Sequence, residues 1–237
     1  SLAAPPDLTA GGVPDSNDNF DWTTNLGPTG LRGWMYYTAN ADTSESRQIL
    51  VTQVDSGSPA SGTIAVTDVI LGASGTGANP SNFSSDARKS LAYAIQDAEA
   101  RNPATLKLLR WRSGSTSTVT ITLQTMGAYT DTAPYNCPKS ALILQQGMDY
   151  VYNNESTGRY SFGGMTHLAT GDAAHLAKAQ TAARGLIPSQ STMTQMMSDQ
   201  RDGDGMGTWD RGYKLVFLAE YYLATGDAEV LPAIEAY

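Results

Sequence analysis

The stretch from Arg47 to Gly75, RQILVTQVDSGSPASGTIAVTDVILGASG, constrains the chain more than any other. Ile49, Val51 and their β-branched neighbours favour a half-buried strand. Gly57 then turns the chain, Ser58 can cap, and Pro59 suits the first position of a short helical turn. Gly62 stops that turn, and Asp68-Val-Ile-Leu-Gly72 opens a second strand. A strand, a tight turn and a second strand within so few residues point to a small β-rich domain, so a purely helical fold is excluded here.

The opening SLAAPPDLTAGGVPDSND holds three prolines and a glycine pair without periodicity, so residues 1–19 read as a flexible arm. It looks like the start of a mature chain whose signal peptide has been removed. With a texture rich in Ser, Thr and Gly and low in charge, it sets the expectation of a secreted or periplasmic protein. Order is expected from Phe20 and Trp22, whose rings need burial. Ser84-Ser85-Asp86 is an N-cap cluster, and Ala87, Leu91, Ala94, Ile95 and Ala98 recur as one apolar helical stripe. Asn102-Pro103 ends that helix. Leu106, Leu108 and Trp111, then Val119, Ile121 and Leu123 beyond a Ser-Gly-Ser turn, alternate as two antiparallel strands.

Gly-Ser-Pro-Ala followed by Asp-Val-Ile-Leu-Gly resembles the middle of a PDZ domain of the bacterial secreted type. The resemblance implies a small β-barrel with a flanking helix over residues 20–126. It also implies an extended peptide or protein C-terminus as ligand, taken up by strand addition. Leu31-Arg32-Gly33-Trp34 is similar to the carboxylate-binding loop of that family, with Trp34, Met35 and Tyr36 opening the strand that pairs with the peptide. Glycine suits such a loop because a Cβ would obstruct converging backbone N–H groups. Arg32 stands where the family has a hydrophobic residue, and its charge could assist an anion. The plain alternative is a Gly/Pro-rich turn before an ordinary strand. Leu91 and Ile95 would line the second wall of the groove, or else belong to the core. Thr67 replaces the glycine usual before Asp-Val-Ile, so its backbone must accept an awkward angle or the turn must differ.

Residues 127–139 hold two prolines and read as a linker, one that packs through Tyr129, Tyr135 and Cys137. As the sole cysteine, Cys137 excludes an intramolecular disulfide and a cysteine-built metal site. No histidine is near in sequence, so a buried, small apolar role is expected.

From residue 140 the texture is helical. Ala141, Leu144, Met148 and Val151 share one face. Leu168-Ala-Thr-Gly-Asp-Ala173 recurs as Leu223-Ala-Thr-Gly-Asp-Ala228, 55 residues on. In each copy glycine ends one helix and aspartate caps the next. Identical corners at a fixed period suggest a helical repeat array over 140–237. These hairpins resemble part of an α/α toroid, the ring seen in terpenoid cyclases and many polysaccharide-active enzymes. The order of the two parts is similar to a group of large secreted bacterial proteins, with Ser85–Lys89, Leu106–Arg112 and Ala133–Ser140 as shared segments. The expected class is therefore α+β multidomain, and the resemblance implies architecture rather than an activity.

Several chemistries are disfavoured. A formal charge of −8 without a Lys/Arg run leaves nucleic acid unexpected as a partner. No apolar run approaches the ~18 residues that span a bilayer. Aligned on the two corners, His167 matches Tyr222 and His175 matches Val230, so both read as packing positions, with no metal and no Ser/His/Asp triad expected. In Asp199–Gly205, setting Gly205 at the sixth position of a calcium loop puts Gln200 first and Arg211 twelfth, where a carboxylate is required. Asp210 and Glu220 are the candidates for a glycan-hydrolysing carboxylate pair, and no spacing fixes them. No catalytic residue and no cofactor is assigned. The leading expectation is a peptide- or protein-binding module; the alternative is the front part of a toroid enzyme acting on a carbohydrate or cell-surface polymer. The chain ends shortly after Pro232 could open a new helix. It is expected to be the front of a longer protein, with Leu215, Leu218, Tyr222 and Ile234 lacking some of their natural partners, an apolar patch on the last helices and a homodimer forming through the helical part.

Overall fold

The computed structural model describes residues 23–35, 44, 46–154, 162–198 and 207–237. It is α+β, and the chain divides into two compact units, Ser1–Ser140 and Ala141–Tyr237. The arm at 1–19, Tyr36 and the acidic loop 199–205 lie outside the described residues.

In the first unit the strands are β1 (Thr23–Asn25), β2 (Leu31–Trp34), β3 (Ile49–Val54), β4 (Val69–Ser74), β5 (Thr105–Arg112) and β6 (Ser115–Thr122), with helix α1 (Ala87–Glu99) between β4 and β5. Each strand pairs antiparallel with the next, giving one open sheet in the order β1-β2-β3-β4-β5-β6 rather than a closed barrel. Alternation decides which side chains face inward: Leu31, Ile49, Val51, Ile70, Leu106, Leu108 and Ile121 pack with Ala87, Leu91, Ala94 and Ala98 of α1 into a single core. Asp86 caps α1 by accepting from Lys89 N–H at 3.1 Å. Ser113 and Gly114, both at positive φ, make the two-residue turn that β5 and β6 need for an unbroken register. Thr67 takes φ +75°, the left-handed angle foreshadowed by the missing glycine.

The segment Leu31–Trp34 departs from expectation. A 3-10 turn at Gly27–Thr29, closed by Gly30 at φ +73°, reverses the chain earlier than anticipated. Leu31–Trp34 is therefore itself a strand, paired with β1 through Thr24↔Gly33 and with β3 through Gly33↔Val51.

The remaining helices are α2 (Pro138–Asn154), α3 (Phe162–Thr170), α4 (Ala173–Gly185), α5 (Gln190–Ser198), α6 (Gly207–Thr225) and α7 (Leu231–Ala236). Ala179, Ala182 and Ala183 of α4, Phe217, Leu218 and Tyr221 of α6, and Ala233 of α7 form the second core. Alanines let α4 approach closely, and Gly164 does the same for α3, since a Cβ there would sit 2.5 Å from the Phe217 ring. The two corners use one device. Gly171 and Gly226 take φ +68° and +70°. Asp172 then accepts from Ala174 N–H at 2.8 Å, and Asp227 from Glu229 N–H at 3.2 Å.

Two helical expectations are corrected. Leu218 is fully buried, because α6 turns that face toward α3, α4 and α7, while Leu215, Tyr222 and Ile234 are half-buried, the last two packed against the core. The exposed apolar stripe on α6 is Trp209, Tyr213, Val216 and Leu223, with the Tyr213 ring also edge-on to that of Phe162. On α2, Ala141 and Leu144 are exposed while Met148 and Val151 are half-buried, so the stripe read from the sequence is only partly covered.

Candidate functional site

A groove of about 460 Å³ lies in the first unit, between the end of β1 with its adjoining turn and helix α1. Asn25, Leu26, Gly27 and Pro28 form one wall; Arg88, Leu91, Ala92 and Ile95 form the other. The α1 wall arises from helical spacing, since positions 88, 91, 92 and 95 share one face. Leu91 and Ile95 belong to the core and also reach this groove, so the two readings of them coincide. Ala92 and Arg88 are exposed at its rim. Arg88 has no ion-pair partner among the described residues.

The other sequence candidates are elsewhere. Leu31, Trp34 and Met35 are buried, and a Cβ on Gly33 would lie 2.3 Å from Ile49. Arg32 donates from Nε to Thr23 Oγ1 at 3.1 Å. None of the four residues of β2 lines the groove, because a strand paired on both sides turns its side chains into the sheet's two faces. The anticipated nest of free N–H groups is also absent from this turn. Leu26 N–H donates to the Leu31 carbonyl at 2.9 Å and Gly27 N–H to Asn25 Oδ1 at 2.8 Å. Leu31 N–H donates to Thr29 Oγ1 at 3.2 Å. The turn uses its donors to hold itself together, and the cation at the groove is Arg88 rather than Arg32.

The second unit holds a polar cluster that sequence reasoning kept apart. His167 and His175, both buried, face each other across the Gly171 corner with Nδ1 atoms 2.7 Å apart. Tyr152 of α2 stands edge-on to both rings, and Lys178 lies over the Tyr152 ring at 4.1 Å while donating to the Tyr152 carbonyl. Burial holds the His167 pKa below its ordinary value, with the charges of His175 and Lys178 adding to the effect. The signal available in sequence was the corner itself: residues a turn before Gly171 and just after Asp172 meet across it.

Asp210 is ion-paired with Lys214 at 2.7 Å, and Glu220 lies ten residues further along α6. At 1.5 Å per residue that separation is about 15 Å along the axis, too far for a glycosidase acid/base pair. Cys137 is buried just before α2, and hydrogen bonds draw its thiol down to about 6. The Ser140 hydroxyl contributes most, followed by main-chain bonds with Thr130 and Ser140. No group of three or more His, Cys, Asp or Glu side chains that could hold a metal ion occurs among the described residues. Among them, no helix is long and apolar enough to cross a membrane.

Residues 140–237 match a family model described as a domain of unknown function (DUF6288), a match that begins beside the boundary between the two compact units. No curated protein and no solved structure matches the chain.

Proposed function

We propose that the first unit is a PDZ-like binding module that takes an extended peptide carrying an apolar side chain and a carboxylate. The groove carries this reading: Leu26, Pro28, Leu91 and Ile95 offer an apolar slot beside the exposed Arg88. Arg88 supplies the complementary charge that the turn's own N–H groups do not. A working place outside the cytoplasm fits the low-charge, Ser/Thr/Gly-rich texture, and the helical unit fits the first hairpins of an α/α-toroid-like array. The enzyme alternative has less support, because Asp210 and Glu220 are too far apart along α6 to act together.

Titration of peptides with hydrophobic C-termini, free or amidated, tests the proposal. Free peptides should shift the methyl resonances of Leu26, Leu91 and Ile95. Ala92→Trp, which fills the slot from an exposed position, should abolish binding without unfolding the domain. Arg88→Glu should remove the preference for the free carboxylate. Binding indifferent to Ala92→Trp, or no binding by any peptide, overturns the reading.

A further inference from the structure

Strand β6, Ser115-Thr-Ser-Thr-Val-Thr-Ile-Thr122, is the last strand of the open sheet. Leu123 N–H donates to the Ala104 carbonyl at 2.7 Å. Antiparallel alternation then directs the main-chain groups of Ile121, Val119, Ser117 and Ser115 toward β5. The N–H and C=O groups of Thr116, Thr118, Thr120 and Thr122 consequently point away from the sheet, and they have no partner among the described residues.

Proteins ordinarily block such an edge with lysine, proline or a bulge. From Ser115 to Thr122 there is no charge and no proline, and the β5–β6 register runs without a shift. All four threonine side chains are exposed.

We propose that β6 is a self-association edge, at which a second copy of this chain adds its own β6 antiparallel about a two-fold axis at Val119. That register sets Thr118 against the second copy's Thr120, and Thr116 against its Thr122. Every outward pair is then threonine on threonine, with about eight main-chain hydrogen bonds across the junction. The isologous arrangement is closed, so it ends at a dimer. The outward row points to the occupant: a second β6 meets all four outward threonines with threonines and brings no charge to the junction. The inference does not depend on the peptide groove.

Sedimentation of the whole chain across concentrations, with Thr118→Pro as the variant, tests it. Thr118 N–H points outward, so proline there removes a junction bond and no bond to β5. The expected result is a concentration-dependent dimer weakened on the order of tenfold or more by Thr118→Pro, with circular dichroism unchanged. Val216→Lys with Leu223→Lys, on the exposed α6 stripe, should leave the dimer intact. If Thr118→Pro does not fold, mixing Thr118→Cys chains with Thr120→Cys chains decides the register. Opposed Cα atoms about 5.5 Å apart are within disulfide reach, so oxidation should yield a 118–120 link identified by mass. A monomer at every concentration, a dimer untouched by Thr118→Pro but lost with the α6 lysines, or no 118–120 link overturns the proposal.

Discussion

The Nδ1 atoms of His167 and His175 stand 2.7 Å apart within the second unit, so one ring donates and the other accepts. Adding a proton to the pair places a second charge in a buried site beside Lys178. A histidine whose folded pKa is depressed binds fewer protons folded than unfolded, so stability rises with pH. Its contribution is complete above the unfolded value of about 6.5 and is lost as pH falls from there toward the depressed folded value, by up to about 1.4 kcal/mol per pH unit. The helical transition should therefore melt at lower temperature at pH 5 than at pH 8. His167→Asn should flatten that dependence. An equal slope in both proteins would assign the effect to other groups.

Thr67 occupies φ +75° with an exposed side chain, while its N–H donates to the Val51 carbonyl at 2.9 Å. A β-branched residue in that region costs about 1–2 kcal/mol, part of which glycine returns through its freer unfolded chain. Thr67→Gly should stabilise the first unit by about 0.5–1 kcal/mol, raising its denaturant midpoint at unchanged slope. A lower midpoint would mean that the threonine makes a compensating contact.

What could be read from sequence divides along physical lines. Helix α1 was legible because a capping aspartate and an apolar stripe agree, and the β5–β6 hairpin because strict alternation meets a Ser-Gly turn. Thr67 was legible because a missing glycine leaves a required backbone angle. Leu31–Trp34 was not, since Leu-Arg-Gly-Trp suits a loop or a strand equally, and the deciding event is the left-handed Gly30 just before it. The histidine pair escaped because aligning the two corners compares each helix with its copy and is silent about rings that face across one corner. The exposed α6 stripe escaped for a related reason: periodicity finds apolar faces but does not say which one the neighbouring helices cover.

Cys137 should be a thiolate at neutral pH, with its thiol titrating at about 6. The hydroxyl of Ser140 contributes most to this, followed by main-chain hydrogen bonds from Thr130 and Ser140, with burial opposing them. Absorbance of the thiolate near the far-ultraviolet edge should fall as pH drops through that value, and Ser140→Ala should move the transition upward. Because the residue is only 4% exposed, alkylation of the native protein should still be slow. A titration midpoint above ~8, near that of a free thiol, would contradict the hydrogen bonds seen around it.

Lys139 and Glu99 form a buried pair, Nζ to Oε2 at 2.6 Å, with the lysine side chain 2% exposed and the glutamate 10%. The Tyr129 ring lies 4.7 Å from the same ammonium, and the Glu99 carbonyl accepts from Met126 and Gly127 N–H at 3.0 Å. Segment 126–139 is thus fastened to the C-terminal end of α1 at several points, which is why a proline-bearing connector packs closely. Removing one member of such a pair strands the other charge away from water. Lys139→Met should therefore destabilise the first unit by about 3 kcal/mol. Replacing both, Glu99→Leu with Lys139→Met, removes the stranded charge and should recover most of that loss, because the desolvation cost of the pair disappears with its attraction. Denaturant melts of the two single variants and the double variant give the coupling directly. Additive losses would show that each side chain is held by its other neighbours and that the ion pair contributes little.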